Sequence, residues 1–276
     1  ARSQFPHARI KDIDLSKALS AEGVELAISG EDILEHLPPI SGMQLATPPG
    51  YQERVDTDIQ IPDQPLIPHE KVRFVGEPYA LVVAKNRYLA EDAIELISTN
   101  FDPLPPVATT DKALDENAPL MHEILGRNVA ATLHTKKGQG AEALKTAPHR
   151  LKRRFYHHRY AAMPMECRGV VADYDARTDT LTIWSSTQVV HWVSREVANS
   201  LGMPEENVRC IAPDVGGGFG GKGHVYPEDI LVAYLARRLQ RPVKWIEDRH
   251  EHILNSTHSR DNIYDVEIGF DDNGRI

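Results

Sequence analysis

NVRCIAPDVGGGFGGKGHVYPEDILVAYLARRLQ, residues 207–240, sets a strand, a glycine-rich turn and a helix in immediate succession. NVRCIAPDV (207–215) reads as the strand. Pro227 opens the helix, Glu228 and Asp229 lie in its first turn and Arg237 and Arg238 in its last, the charge order that a helix dipole favours. Between them, five glycines in the six positions 216–221 let the main chain approach a ligand, adopt positive φ and offer N–H groups to oxygen atoms. This context suits an oxyanion or a phosphate-bearing cofactor. Residues 216–222 also fit GxxxxGK, the front of a nucleoside-triphosphate P-loop, but Gly223 stands where that motif needs a Ser or Thr hydroxyl for magnesium. His224, Val225 and Tyr226 separate the lysine from the helix, which displaces the dipole from any phosphates. A glycine turn with packing duties alone is the third reading.

Around this unit, FYHHRYAAM (155–163), GVVADYDARTDTLTIWSST (169–187) and YDVEIGF (264–270) read as strands, with residues 175–179 as a hairpin loop. A helix is predicted from about Val189 to Leu201, where Val190, Val193, Val197 and Leu201 share a face and Gly202 ends it. PVKWI (242–246) reads as a strand and DRHEHIL (248–254) as the first turn of a helix. In the first half, YALVVA (79–84) is an apolar run of strand length, Asn86 caps the next helix, and Leu89, Ala93, Ile94 and Ile97 repeat at helical spacing. FDPLPPV (101–107) reads as extended, since Pro103, Pro105 and Pro106 cannot sit in a helix. Residues 37–67, rich in Pro and Gly, read as long loops, and residues 111–149 as weakly patterned, with a mobile turn at 136–140. ARSQFPHARI (1–10) alternates like a strand already under way. The organisation is α+β, with one domain over residues 1–125 and a second over 126–276, and no internal repeat.

Composition narrows the function. The 276 residues are 41% hydrophobic and 26% charged, which excludes disordered, collagen-like and disulfide-rich chains. The 31 Lys+Arg against 40 Asp+Glu give a net charge of −9, and the basic residues are scattered, so a nucleic-acid partner is not indicated. Cys167 and Cys210 form no CxxC pattern, so neither a disulfide framework nor a thiolate zinc site is signalled, which fits a reducing compartment. No apolar run approaches the roughly 18 residues of a membrane span, and the N-terminal residues lack an export pattern, so the chain reads as soluble and cytoplasmic. Asp272-Asn273-Gly274 marks a hairpin turn whose returning arm holds only Arg275 and Ile276, and the sequence is expected to be a fragment.

Several motifs join the glycine loop in one order: GEPYALVVAKNRYLAEDAIELI (76–97) with FDPLPPV, MECRGVVADYD (165–175), WSSTQ (184–188), and IAPDVGGGFGGKG (211–223) with its helix. Together they resemble the molybdenum hydroxylase family, the molybdopterin-binding large subunits related to xanthine dehydrogenase, aldehyde oxidase and aerobic carbon monoxide dehydrogenase. The resemblance covers nearly all of this chain but only the front of such a subunit. It implies a hammerhead-like α/β domain followed by the first part of a mixed-sheet molybdopterin-binding domain, and hydroxylation of an electron-poor carbon with water as the oxygen source. Phe219 and Gly220, with Gly217 and Gly218 beside them, match cofactor-contact positions. Gln188 is similar to the residue that hydrogen-bonds an oxygen ligand of the metal, a task that a carboxamide performs without adding charge. Taken alone, Gln188 reads as a helix N-terminal polar residue after Ser186 and Thr187.

The resemblance also implies what is missing. No residue here would ligate the metal directly, and the family's catalytic glutamate, substrate loop and most pterin-dinucleotide contacts belong to segments beyond Ile276. The implied cofactor is molybdenum-molybdopterin in its cytosine dinucleotide form, with FAD and two-iron iron–sulfur clusters on partner subunits. Partners are then the FAD-binding and iron–sulfur subunits and the remaining portion of the large subunit, in a dimer of heterotrimers acting on a small molecule. At Gly223 purine-oxidising members carry a glutamate, so xanthine is disfavoured, and aldehydes, N-heterocycles and carbon monoxide stay open. Cys167 replaces the common proline of the MEPRG-like segment. This chain alone is expected to be inactive. A P-loop NTPase and a noncatalytic assembly module are the alternatives.

Other clusters offer less. Asp248, His250 and His252 have the composition of a two-histidine, one-carboxylate metal site, but the first turn of a helix would point residues two apart in different directions. His157 and His158 would face opposite sides of a strand. Lys152, Arg153 and Arg154 read as a solvated strand entrance or subunit contact, and Trp184 and Trp192 as packing residues.

Overall fold

Val170 and Ala172, then Leu181 and Ile183, alternate with less buried neighbours along two strands and close one face of a sheet. In the computed structural model, which describes residues 1–42 and 55–276, these strands are Gly169–Asp175 and Thr180–Ser185, joined by the expected hairpin loop. They form the middle of a four-stranded sheet. Val208–Ile211 runs parallel to Thr180–Ser185, and Val243–Ile246 runs antiparallel to Gly169–Asp175. A parallel neighbour requires a crossover, which helix Val190–Leu201 supplies. Its Val193 and Val197 are fully buried, and Gly202, at φ 60°, ends it as the sequence predicts. Helix Pro227–Leu239 adds Ile230, Leu231 and Leu235 to the same core.

These elements belong to the first of two compact units, Ala1–Ser41, Asp63–Pro106 and Ala161–Thr257. The N-terminal part of that unit pairs Ala8–Asp14 antiparallel with both Lys71–Val72 and Ser98–Pro103, and Val24–Ser29 with Ala80–Ala84. Helix Arg87–Ile94 starts at Asn86, whose Oδ1 accepts a hydrogen bond from the Leu89 amide at 3.1 Å, and it packs Ala93 against Ala18 and Ala27. The first strand begins at Ala8 and not at Ala1. Pro6 has no N–H for a ladder, and only Arg2, opposite Pro78, makes an isolated bridge.

The second unit comprises Gly42–Pro62, Val107–Tyr160 and His258–Ile276. His149–His157 pairs antiparallel with Asn262–Phe270 along its whole length, and Val55–Ile59 pairs with Ala131–Thr135. Val55–Ile59 lies inside the segment read as loop, whose residues 43–54 fall outside the described ones. Ala131–Thr135 and the short helices Thr110–Ala113 and Gly140–Thr146 likewise replace the featureless stretch expected over residues 111–149. Main-chain pairing supplies there what the polar side chains do not announce. The strand expected over residues 155–163 is interrupted after His157 and resumes only as Tyr160–Ala161. Arg154, on a solvated strand as read, pairs with Asp265 at 2.7 Å. The turn after Phe270 forms with Gly274 at φ 78°. Trp184 and Trp192, read as packing residues, are 38% and 49% exposed. No helix among the described residues is long and apolar enough to cross a membrane.

Glu228 and Asp229, placed by the sequence in the first turn of the helix, are buried. Asp229 accepts from Ser185 Oγ at 2.7 Å and from the Tyr226 amide at 3.1 Å. Glu228 lies between Arg2 at 2.9 Å and Arg168 at 3.1 Å, while Arg168 also holds Glu247 at 2.6 Å and covers the Tyr226 ring. Burial alone would raise the Glu228 pKa, but the two guanidinium groups pull it down to about 2. Its stabilising contribution is therefore complete above 4.5, the ordinary value, and is lost as the pH falls toward about 2. Glu228→Gln is expected to lower stability by about 3–5 kcal/mol at neutral pH. In urea titrations, its deficit against the unsubstituted chain should shrink through that acidic window.

Candidate functional site

The glycine segment leaves strand Val208–Ile211 and reaches helix Pro227–Leu239 through a loop with three left-handed residues, Gly217 (φ 95°), Phe219 (φ 54°) and Gly220 (φ 85°). For Phe219 that conformation costs on the order of 1 kcal/mol, and its ring is 81% exposed. Gly218 is needed for space: a Cβ there would lie 2.4 Å from Gln188 Oε1.

Gln188 closes the loop from the facing segment. Its Oε1 accepts from the amides of Gly220 at 3.1 Å and Lys222 at 3.3 Å, and its own amide donates to the Lys222 carbonyl at 2.9 Å. Two N–H donors fix which end of the carboxamide is oxygen, and Nε2 makes no hydrogen bond among the described residues. Gln188 precedes helix Val190–Leu201 without capping it: its Oε1 is taken by the two loop amides, and the N-cap, Val189, makes no side-chain cap bond. The amides of Gly218 and Phe219 have no hydrogen-bond partner among the described residues, while those of Gly217, Gly221 and Gly223 bond within the loop. Unpaired donors therefore lie at the middle of the loop, next to the glycine whose Cβ would meet the Gln188 carboxamide.

Sequence reasoning missed the group behind the loop. Lys222 is 1% exposed, and its Nζ lies 2.7 Å from both Glu166 Oε2 and Ser186 Oγ. The same Glu166 oxygen accepts from Ser186 Oγ at 2.7 Å and from the Gly216 amide at 2.8 Å. Partial burial would raise the Glu166 pKa, but these hydrogen bonds, led by Lys222, hold it below the usual carboxylate range. The lysine of the P-loop pattern is thus turned inward onto a carboxylate, and its ammonium is withdrawn from any phosphate at the loop. The available signal was a lysine directly after two glycines, but its partner lies in a distant segment.

The other candidates separate. Asp248 accepts the Glu251 amide at 2.7 Å as the cap of helix Arg249–Asn255, and His250 is exposed. His252 is buried, with Nδ1 2.8 Å from Glu247 and Nε2 2.8 Å from the Ala162 carbonyl. Among the described residues, the ligating atoms that do cluster, within 4.8 Å, are those of Cys167, Glu247 and His252. Glu247 there already holds Arg168, whose cation would oppose a metal ion. Arg249 donates to the carbonyls of Pro164 at 2.7 Å and Met165 at 3.1 Å, so this network anchors the segment that carries Glu166.

Residues 1–105 match the family model described as the aldehyde oxidase and xanthine dehydrogenase a/b hammerhead domain, and residues 121–276 that of the molybdopterin cofactor-binding domain. The whole chain is 37% identical to 34% of the 6-hydroxypseudooxynicotine dehydrogenase complex subunit gamma of Paenarthrobacter nicotinovorans. It is 34% identical to 32% of the nicotine 6-hydroxylase large subunit from the same organism. Among solved structures, quinoline 2-oxidoreductase from Pseudomonas putida 86 matches 98% of the chain with 33% of its own, at a TM-score of 0.86 and 37% identity. The chain spans about a third of the length of these relatives.

Gly218→Ala should force the Gln188 carboxamide off its two amides and lower stability by about 1–3 kcal/mol. Gly140→Ala, where an added Cβ meets nothing within 4 Å, should be neutral or slightly stabilising. Thermal or urea melts of the pair test the constraint on Gly218.

Proposed function

The chain belongs to the molybdopterin-binding family of the aldehyde oxidases and xanthine dehydrogenases, and we propose that it forms the front part of a molybdenum hydroxylase large subunit. Residues 1–125 are then the hammerhead-like domain and residues 126–276 the first part of the molybdopterin-binding domain. One observation carries the assignment of the site: Gln188, held by its oxygen on the amides of Gly220 and Lys222, keeps its N–H donors for a ligand at the loop.

The residues fit the group. Gly217, Gly218, Phe219 and Gly220 form an arch whose central amides lack partners among the described residues, and a Cβ at Gly218 would fill the space against Gln188. When bound, the molybdenum cofactor supplies water activation and two-electron chemistry. This chain's residues orient it. Gln188 Nε2 would donate to an oxygen of the group without altering the charge of the redox centre, the Gly218 and Phe219 amides would add donors, and the exposed Phe219 ring would offer an apolar face. Glu166 keeps the Lys222 ammonium behind the loop.

The reaction that membership of this family implies is hydroxylation of an electron-poor carbon, with water as the oxygen source. The nicotine and quinoline enzymes among the relatives favour an N-heterocycle as substrate, with aldehydes and carbon monoxide left open, and Gly223, where purine oxidisers carry a glutamate, disfavours xanthine. The cofactor is assigned as the cytosine dinucleotide form, in a cytoplasmic complex with FAD-binding and iron–sulfur subunits and the rest of the large subunit. Metal analysis of the natural complex should find about one molybdenum per copy. Gln188→Ala in the complete enzyme should slow turnover about tenfold or more while molybdenum is retained. A complex without molybdenum that binds ATP tightly, and loses that binding in Lys222→Ala, would overturn the reading in favour of an NTPase.

A further inference from the structure

We infer that Glu166 and Lys222, joined through Ser186, are positioning residues that set the glycine loop and Gln188 as one rigid body. The inference rests on the cofactor reading of the loop. Lys222 grips the segment around Gln188 at two points: its Nζ bonds Ser186 Oγ, while its main chain exchanges hydrogen bonds with Gln188. Glu166 Oε2 gathers Lys222 Nζ, Ser186 Oγ and the Gly216 amide, so one oxygen atom joins the start of the loop, its end and the segment that carries Gln188. The main chain repeats the link, since the Glu166 amide donates to the Gly216 carbonyl at 3.2 Å. A Cβ on Gly216 would stand 2.6 Å from Glu166 Cβ, so this closeness requires the glycine.

An apolar contact would close the same gap with less desolvation, because burying an ammonium is costly even when it is paired. What the ion pair adds is direction. Two short bonds at Nζ and three at one carboxylate oxygen leave little freedom in the distance between Gly216 and Gln188. The brace touches the ligand side only through the loop and Gln188, so its effect on turnover must pass through them.

The test uses the complete enzyme complex, with Lys222→Met, Glu166→Gln and Gln188→Ala singly, and each brace variant combined with Gln188→Ala. Lys222→Met and Glu166→Gln should keep molybdenum, lower kcat about tenfold and leave KM within about twofold. Adding either to Gln188→Ala should cost less than about twofold further, since all act through one arrangement. In cofactor-free complex, hydrogen exchange of residues 216–222 should speed up in Lys222→Met while helix Pro227–Leu239 is unchanged. Additive losses, unchanged loop exchange or an unaltered kcat would each overturn the inference. If Lys222→Met fails to fold, Glu166→Gln, which keeps the side chain's shape but removes the charge that pairs with Lys222, decides by the same measurements. A natural complex without molybdenum sinks the functional reading and this inference together, whereas molybdenum with additive losses sinks only the inference.

Discussion

The arrangement at the loop depends on a side-chain oxygen that accepts two main-chain amides. Gln188 Oε1 fixes the amides of Gly220 and Lys222, and in doing so the loop fixes Gln188. The constraint is mutual, because a glutamine with either oxygen or nitrogen inward would otherwise swing freely at the surface. Glycine at 218 is its steric condition, and positive φ at Gly217 and Gly220 is its backbone condition.

Charge is kept away from this point and concentrated behind it. Lys222 is neutralised by Glu166, and Arg168 is shared between Glu228 and Glu247 with Tyr226 beneath its plane. Both networks tie strand, loop and helix where the apolar core ends. The core itself, with Leu181, Ile183, Val193 and Ile230 fully buried, explains the rigidity of the sheet and helices but says nothing about the loop. Polar bonds of definite length orient the segments at this end of the strands, a task that apolar packing, being non-directional, performs poorly.

Much of the fold was legible because its signals are local. Asn86 and Gly202 sit at helix ends where their chemistry is required, and Val193 and Val197 repeat at helical spacing. Ala131–Thr135 was not legible, since a short polar strand forms only when its partner arrives. In the site, the glycines and Gln188 stood out by motif. Lys222 did too, in a P-loop-like pattern that Gly223 already breaks, but its contact with Glu166 joins distant segments and leaves no local signal. Glu166 carried no local mark of its place beneath the loop.

By itself, the sequence determined where the chain can turn, which faces are apolar and that residues 216–221 present main chain free of side chains save at Phe219. Those properties follow from steric freedom and periodicity within a few residues. Only the tertiary structure decided which way Gln188 faces, that Lys222 points inward, and that Glu166 meets Gly216 and Ser186. Such contacts join segments far apart in the chain, and their geometry exists only once the sheet and its helices have brought those segments together.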